Sequence, residues 1–343
     1  WLHEMNTRST ARLVSVLIPV FNAERFLRQA VESALEQEET GEVLLLDDGS
    51  TDSSLSLSQS LASESELVRV IQHPGGVNRG AAASRNLLVR HSRCKYIAFL
   101  DADDYFLPGR FSVAVNVLEN DPTIAVVYDA FEKRFEDPAL EREWLANTPR
   151  NERILKLGPP EQVDNLFELI MTQYKITPNI WQIVARREVY ESVLPFNEEL
   201  LVSPDPPVLF QMLASFKFAP GQVTEPCIVY RIHDSNLYQR MRRFNPKKTR
   251  RVLLDWLKYF WAWSQGNLDA QKLEFVQIFL LRQSLYIAPL FFPTRLRPRR
   301  FFLLVQRTIG LVALPVHFRE ILHSRLYWTT LGKTICGSGL YSR

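Results

Sequence analysis

Cysteine is scarce in this chain of 343 residues: only Cys94, Cys227 and Cys336 occur, none in a Cys-x-x-Cys or Cys/His spacing. That excludes a disulfide framework or a thiolate zinc site and fits a reducing, cytoplasmic compartment. Long uncharged apolar runs are missing too. The two most apolar stretches, 273–292 and 301–318, are interrupted by Glu274, Arg282 and Arg307. Neither reaches the ~18 uninterrupted residues of a membrane-crossing helix. Residues 1–11 hold no apolar run, so no secretory signal is read there. No internal repeat or low-complexity tract is visible.

What is present is ordinary for a globular protein, with 46% hydrophobic and 23% charged residues. The length suits one large domain or two modest ones. Charge, however, is unevenly spread. Residues 234–343 carry 19 Lys/Arg against 5 Asp/Glu, whereas the remainder carries 22 against 33, so +14 and −11 sum to the net +3. The same tail holds 18 of the 39 aromatic residues. An acidic front and a basic, aromatic back suggest two jobs.

Apolar runs at 13–19, 42–46, 68–72, 96–100 and 124–128 alternate with helical patterns that end near Leu35, Ser63 and His91. Ser50 or Asp52 is the expected cap of the second helix. Such runs predict an α/β fold with a parallel sheet covered on both faces. Ligands gather at the carboxyl ends of such strands. Here the ends read Pro19-Val20-Phe21-Asn22, Asp47-Asp48-Gly49-Ser50, Pro74-Gly75-Gly76 and Asp101-Ala102-Asp103-Asp104. Residues 132–165, with Pro138, Pro149, Pro159 and Pro160, read as a loop or insertion. Further strands are expected at 180–184 and 227–230. A helical pattern starts near Pro246, with Leu253, Leu254, Leu257, Phe260 and Trp261 on one face.

Asp101 and Asp103 alternate just past a strand and can point the same way. Such oxygen ligands suit Mg²⁺ or Mn²⁺, which in turn can hold a diphosphate. A calcium EF-hand is excluded because Phe106 and Ser112 stand where its Gly and Glu belong. A solvated turn with an Asp cap is the plainer alternative. Asp47-Asp48-Gly49-Ser50 divides likewise, between a tight turn and a carboxylate that accepts from a base N–H or a ribose hydroxyl. The loop at Gly75, Gly76 and Gly80 opens a helix, a setting for anion binding at amides. It matches neither the dinucleotide fingerprint nor a P-loop, so phosphates would need metal and arginine partners.

The order of these pieces resembles family 2 glycosyltransferases. The similarity lies in residues 16–22, in Leu46-Asp47-Asp48-Gly49-Ser50-Thr51-Asp52, and in Asn78-Arg79-Gly80 through Ser84-Arg85-Asn86, where the family's Ala is Ser84. It continues through Phe99–Asp104, Pro108-Gly109-Arg110-Phe111, Arg186-Arg187, Pro195-Phe196-Asn197-Glu198 and Tyr230-Arg231-Ile232-His233. The resemblance covers about residues 13–236. It implies a GT-A fold, placed at 11–240; the tail lies outside the resemblance, and its own helical pattern gives an α-helical region over 241–343. The resemblance implies transfer of one sugar to a hydroxyl acceptor, a glycan or a lipid-linked chain, from a nucleotide diphosphate-sugar, a UDP-sugar first among them. By position Pro19, Phe21, Asn22, Asp48, Asn78, Gly80, Arg85, Asp101 and Asp103 would face the donor. Asp103, Asp104 and His233 would serve the metal. Asp205 would be the base of an inverting displacement, although the usual Glu-Asp reads Pro204-Asp205 here, followed by Pro206-Pro207.

The Gln-x-x-Arg-Trp motif of processive synthases is absent; Gln239-Arg240-Met241-Arg242-Arg243-Phe244 ends in Phe. A non-catalytic nucleotide-sugar-binding scaffold with a degenerate acceptor site is the rival reading, kept open by Pro204. Arg295, Arg297, Arg299 and Arg300 flank apolar runs. That pattern suits either helices lying on the inner face of an anionic membrane or a packed subdomain with a solvated basic face. No nucleic-acid motif accompanies it.

Overall fold

The computed structural model describes residues 12–147, 156–157, 166–173, 177–193, 195–200, 204–236 and 246–287. Strand β1 (Val14–Val20) is buried at every position except the half-buried Pro19, as its largely apolar sequence requires of a central strand; its polar residue, Ser15, donates to Glu42 at 2.6 Å. It pairs in parallel with β2 (Thr40–Asp47) on one side and β4 (Tyr96–Phe99) on the other, and β2 pairs in parallel with β3 (Val68–Gln72). Helix α1 (Leu27–Leu35) buries Leu27, Ala30, Val31 and Ala34, the i, i+3, i+4, i+7 stripe of an amphipathic helix. Helix α2 (Ser54–Glu64) packs beside it, and α3 (Gly80–His91) crosses back to β4 against β1 and β2.

The order β3-β2-β1-β4 reverses direction between β1 and β4. Right-handed crossovers therefore put α1 and α2 on one face and α3 on the other. The crevice where the order reverses is where an open α/β sheet binds ligands. Neither expected cap stands at the helix start: the residue there is Ser53, whose side chain makes no cap bond, while Asp52 Oδ1, one residue earlier, accepts the Ser54 N–H at 2.9 Å and Ser50 Oγ accepts from Asn22 N.

Beyond β4 the sheet departs from uniform parallel pairing. Strand β9 (Ile183–Arg186) runs antiparallel to both β4 and β6 (Val126–Tyr128), and β10 (Phe218–Pro220) pairs in parallel with β6. An apolar run discloses burial but not direction. Residues 180–182 form a 3-10 turn closed by the Asn179–Gln182 capping box, so β9 starts later than its apolar run. The stretch expected as a loop contributes to a second sheet of order β5-β11-β7-β8. Its strands are β5 (Tyr105–Phe106), β7 (Phe131–Phe135), β8 (Lys156–Leu157) and β11 (Ile228–Ile232). Pro138 opens helix α5 (Pro138–Asn147); at the first helical position its missing N–H costs nothing, so a residue that reads as a breaker is a start.

The remaining helices are α4 (Ser112–Asn120), α6 (Leu166–Gln173), α7 (Arg187–Val193), α8 (Asp205–Ser215), α9 (Pro246–Asn267) and α10 (Ala270–Ile287). Phe210 of α8 meets Trp256, Phe260 and Phe279 at ring distances of 5.6, 5.1 and 5.1 Å. The last two helices thus share one core with α8. Of the expected apolar face of α9, Leu257, Phe260 and Trp261 are buried and Leu254 is partly so; the Leu253 side chain lies outside the description. Among the described residues no helix is long and apolar enough to cross a membrane. Residues 301–318 and Arg295, Arg297, Arg299 and Arg300 lie outside them.

One ion pair joins the two sheets. Arg110, before α4, meets Asp129, which links β6 to β7, and neither side chain is exposed. Asp129 Oδ1 also accepts the Gln222 N–H at 2.6 Å, and the guanidinium lies over the Phe106 and Phe111 rings. Removing one partner leaves a buried charge uncompensated. Arg110→Met is therefore expected to lower unfolding free energy by about 3–5 kcal/mol in urea titrations. The double variant Arg110→Met/Asp129→Leu is expected to recover more than half of that loss.

Candidate functional site

The loop after β1 turns sharply at Asn22, whose φ of +49° is the left-handed conformation that Asn tolerates better than most residues. Asn22 Oδ1 accepts the Thr51 N–H at 2.7 Å, and Glu24 Oε2 accepts the Ser53 N–H at 2.8 Å. The first two strand-end loops are thereby zipped together. The next link is Asp48. Its Oδ1 accepts the Arg79 N–H at 2.7 Å and its Oδ2 the Gly80 N–H at 2.9 Å, while Asn78 Nδ2 donates to the Asp48 carbonyl at 2.9 Å. His73 Nε2 stands 3.4 Å from the same carboxylate. Asp48 is 4% exposed, and it caps the start of α3. Gly49 completes the seam: its φ is +71°, and a Cβ there would lie 2.6 Å from Asn78 N.

Phe21 and Val77 stand out along this rim as large apolar residues left exposed, Phe21 at 50%. Both adjoin the seam in sequence, Phe21 beside Asn22 and Val77 beside Asn78. Pro19, on β1, is only partly buried.

At the switch point itself lie Asp101–Asp104, which follow β4 after Leu100. Asp101 Oδ1 accepts from Arg85 Nη2 at 3.1 Å, and Arg85 Nη1 stands 2.9 Å from Asp205 Oδ1 at the start of α8. Asp103 Oδ2 lies 2.9 Å from His233 Nε2 and accepts from Asn236 Nδ2 at 3.1 Å. Asp104 is 1% exposed, and its Oδ1 accepts the Arg231 N–H from β11 at 2.8 Å. Asp101, Asp103, Asp205 and His233 thus form one cluster at the switch point, with the more deeply buried Asp104 beside Asp103.

Burial dominates the protonation of this group. It pushes Asp101 up to about 6, with Asp103 and Asp205 adding repulsion and Arg85 opposing it. Burial also raises Asp104 well above the ordinary carboxylate range, and it raises Asp205 against the pull of Arg85. Carboxylates crowded this closely favour a proton, an arginine or a cation as company.

Among the described residues no three His, Cys, Asp or Glu side chains converge into a ready-made metal cage. Mg²⁺ and Mn²⁺ sites that serve phosphates need none, because one or two carboxylates and the phosphate oxygens complete the shell. Asp103, 31% exposed at its side chain with His233 beside it, fits such a shared site.

Two contributors were not marked by the sequence motifs. Asn236 holds both Asp103 and the His233 backbone N–H, the latter at 2.7 Å; its place three residues past His233 was the available signal. Tyr190, wholly buried in α7, packs edge-on against Phe99 at 5.5 Å and faces the electrostatic field of Asp205. Nothing in its helical sequence points to the site.

Comparison with known proteins bears on this arrangement. Residues 15–176 match the family described as glycosyl transferase family 2. An uncharacterized glycosyltransferase of Bacillus subtilis, EpsJ, is 28% identical over 229 residues, 66% of this chain and 62% of its own. The succinoglycan biosynthesis protein ExoU of Rhizobium meliloti is 40% identical over 97 residues, 28% of each chain. The chain therefore spans less than two thirds of the length of these relatives. The crystal structure of S. aureus TarS 1–349 in complex with UDP-GlcNAc superposes with a TM-score of 0.63 at 16% identity, covering 95% of this chain and 92% of that one. The fold is that of the GT-A glycosyltransferases, with helices in the C-terminal region. Residues 15–176, which build these strand-end loops, are thus similar to glycosyl transferase family 2.

Proposed function

We propose that the chain transfers a single sugar from a nucleotide diphosphate-sugar to a hydroxyl of a growing glycan or lipid-linked chain, with inversion. The observation that carries this reading is the assembly at the switch point: Asp101 and Asp103 on one strand end, His233 and Asn236 beside Asp103, and Asp205 on the far side of Arg85. The family match, and relatives that include a succinoglycan biosynthesis protein, support the reaction class and a polysaccharide setting. The UDP-GlcNAc held by TarS supports a UDP-sugar donor.

In this reading the nucleoside lies along the rim, where the exposed ring of Phe21 offers a flat apolar face to a base. Pro19 and the amides around Asn78 and Gly80 border it. Asp48 contributes by holding the Asn78–Gly80 turn in place through its two backbone bonds. Asp103 and His233 would hold Mg²⁺ or Mn²⁺ together with the diphosphate. When bound, the cation supplies charge stabilisation to the departing nucleoside diphosphate. Asp104 underpins Asp103 by fixing the turn to β11.

Asp205 takes the proton of the acceptor hydroxyl. The freed oxygen bonds to the anomeric carbon as the bond to the diphosphate oxygen breaks, and the proton stays on the carboxylate. A carboxylate whose basicity is raised by burial suits that role. One displacement from the face opposite the leaving group inverts the configuration.

Thermal-shift and calorimetric screening of UDP-, GDP-, dTDP- and CMP-sugars with Mn²⁺ or Mg²⁺ tests the assignment. Asp103→Ala is expected to lose metal-dependent donor binding. Asp205→Asn is expected to keep it and to lose turnover by roughly 10²–10⁴-fold. Unchanged metal-dependent binding by Asp103→Ala would remove the donor-site assignment. Phe21→Ala is expected to weaken donor binding about tenfold, the effect of roughly 1.4 kcal/mol. Because the ring is exposed, the same substitution should leave the unfolding free energy within about 0.5 kcal/mol.

A further inference from the structure

Arg85 is the residue whose placement departs most from a donor-facing role. Its side chain is 6% exposed, and its two terminal nitrogens are committed, one to Asp101 at 3.1 Å and one to Asp205 at 2.9 Å. The guanidinium rests over the Phe99 ring at 5.8 Å, so it is held from behind as well. Asp101 is 31% and Asp205 26% exposed at the side chain. The carboxylates, rather than the arginine, therefore reach solvent in the cleft.

The next residue on α3 does a related job. Asn86 Oδ1 accepts the Phe196 N–H at 2.7 Å, and its Nδ2 donates to the Phe196 carbonyl at 3.0 Å and to Glu198 at 3.1 Å. Phe196 lies nine residues before Asp205. Two consecutive residues of one helix thus hold Phe196 and Glu198 on the one hand and Asp205 on the other.

We infer that Arg85 is a positioning residue: it sets the distance and direction of Asp205 relative to the donor-side Asp101, and it is not itself a ligand of the donor. The inference rests on the reading of Asp205 as the base. A guanidinium is suited to the task because its planar fork presents two nitrogens to two carboxylates at once, whereas an ammonium is a single point charge on a flexible stem. Positioning matters at this level because a misplacement of about 1 Å of a reacting group can cost about 10²-fold in rate.

The test is a double-mutant cycle in turnover. Arg85→Gln, Asp205→Asn and the double variant are compared with the native chain over the same UDP-, GDP-, dTDP- and CMP-sugars with Mn²⁺. Donor dissociation constants are measured separately. Arg85→Gln is expected to hold the donor within about threefold of native and to lose turnover by about 10²-fold. In the Asp205→Asn background it is expected to cost no further turnover, because the residue it acts through is already silent.

Multiplying losses in the double variant, or a dissociation constant that rises in step with the lost activity, overturns the inference. Full turnover by Arg85→Gln beside a silent Asp205→Asn overturns it too, and leaves the base assignment standing. Full turnover by Asp205→Asn instead sinks the base assignment, and the inference with it. If Arg85→Gln does not fold, Arg85→Lys replaces it. That variant is expected to bind donor normally and to turn over at least about tenfold more slowly, since lysine cannot span both carboxylates. Native turnover by Arg85→Lys overturns the inference.

Discussion

Five carboxylates meet at one end of the main sheet, and an ionised carboxylate withdrawn from water must be met by donors or opposite charge. Each of them is met by a group from another element of the fold. Asp48 takes the first amides of α3, Asp101 and Asp205 share Arg85, Asp103 is met by His233 and Asn236, and Asp104 by the amide of Arg231. The loops are consequently not independent. Asn22 binds the second loop, Asp48 the third, and α3 reaches across to the fourth and to α8.

The same logic ties the smaller sheet to the larger. Strand β11 brings the Arg231 N–H to Asp104 and leads into His233, while the Arg231 side chain lies over the rings of Phe26 and Tyr105 and reaches Gln29 and Glu136. Arg110 and Asp129 perform a comparable service farther from the cleft, where both sheets depart from one buried charge pair. A strand added for its backbone bonds thus doubles as the carrier of side chains that the first sheet cannot provide.

The first four strands, the helices between them and the strand-end motifs were legible because their signals are local: apolar runs of the right length and turn residues at their ends. The second sheet was not. Its two-residue strands β5 and β8 are too short for any periodicity, and β7 is largely polar. The antiparallel course of β9 is a property of its neighbours, which apolar character does not encode. At the site, residue types were legible while partners were not. Arg85 reads as one basic residue in a helix start, yet one of its carboxylates lies 120 positions away. Asp48 reads in sequence as a turn or cap residue or as a ligand, and only the position of the Arg79 and Gly80 amides shows which backbone it holds.

Helix α8 begins Asp205, Pro206, Pro207. The first-turn amides of a helix are normally unbonded and attract the nearest carboxylate, so an aspartate at such an end tends to be absorbed by its own backbone. The two residues that follow Asp205 have no N–H to offer. The chain thereby silences the competitor nearest to that side chain. The helix supplies rigidity and direction and makes little claim on the carboxylate, which is left to answer to a residue across the cleft.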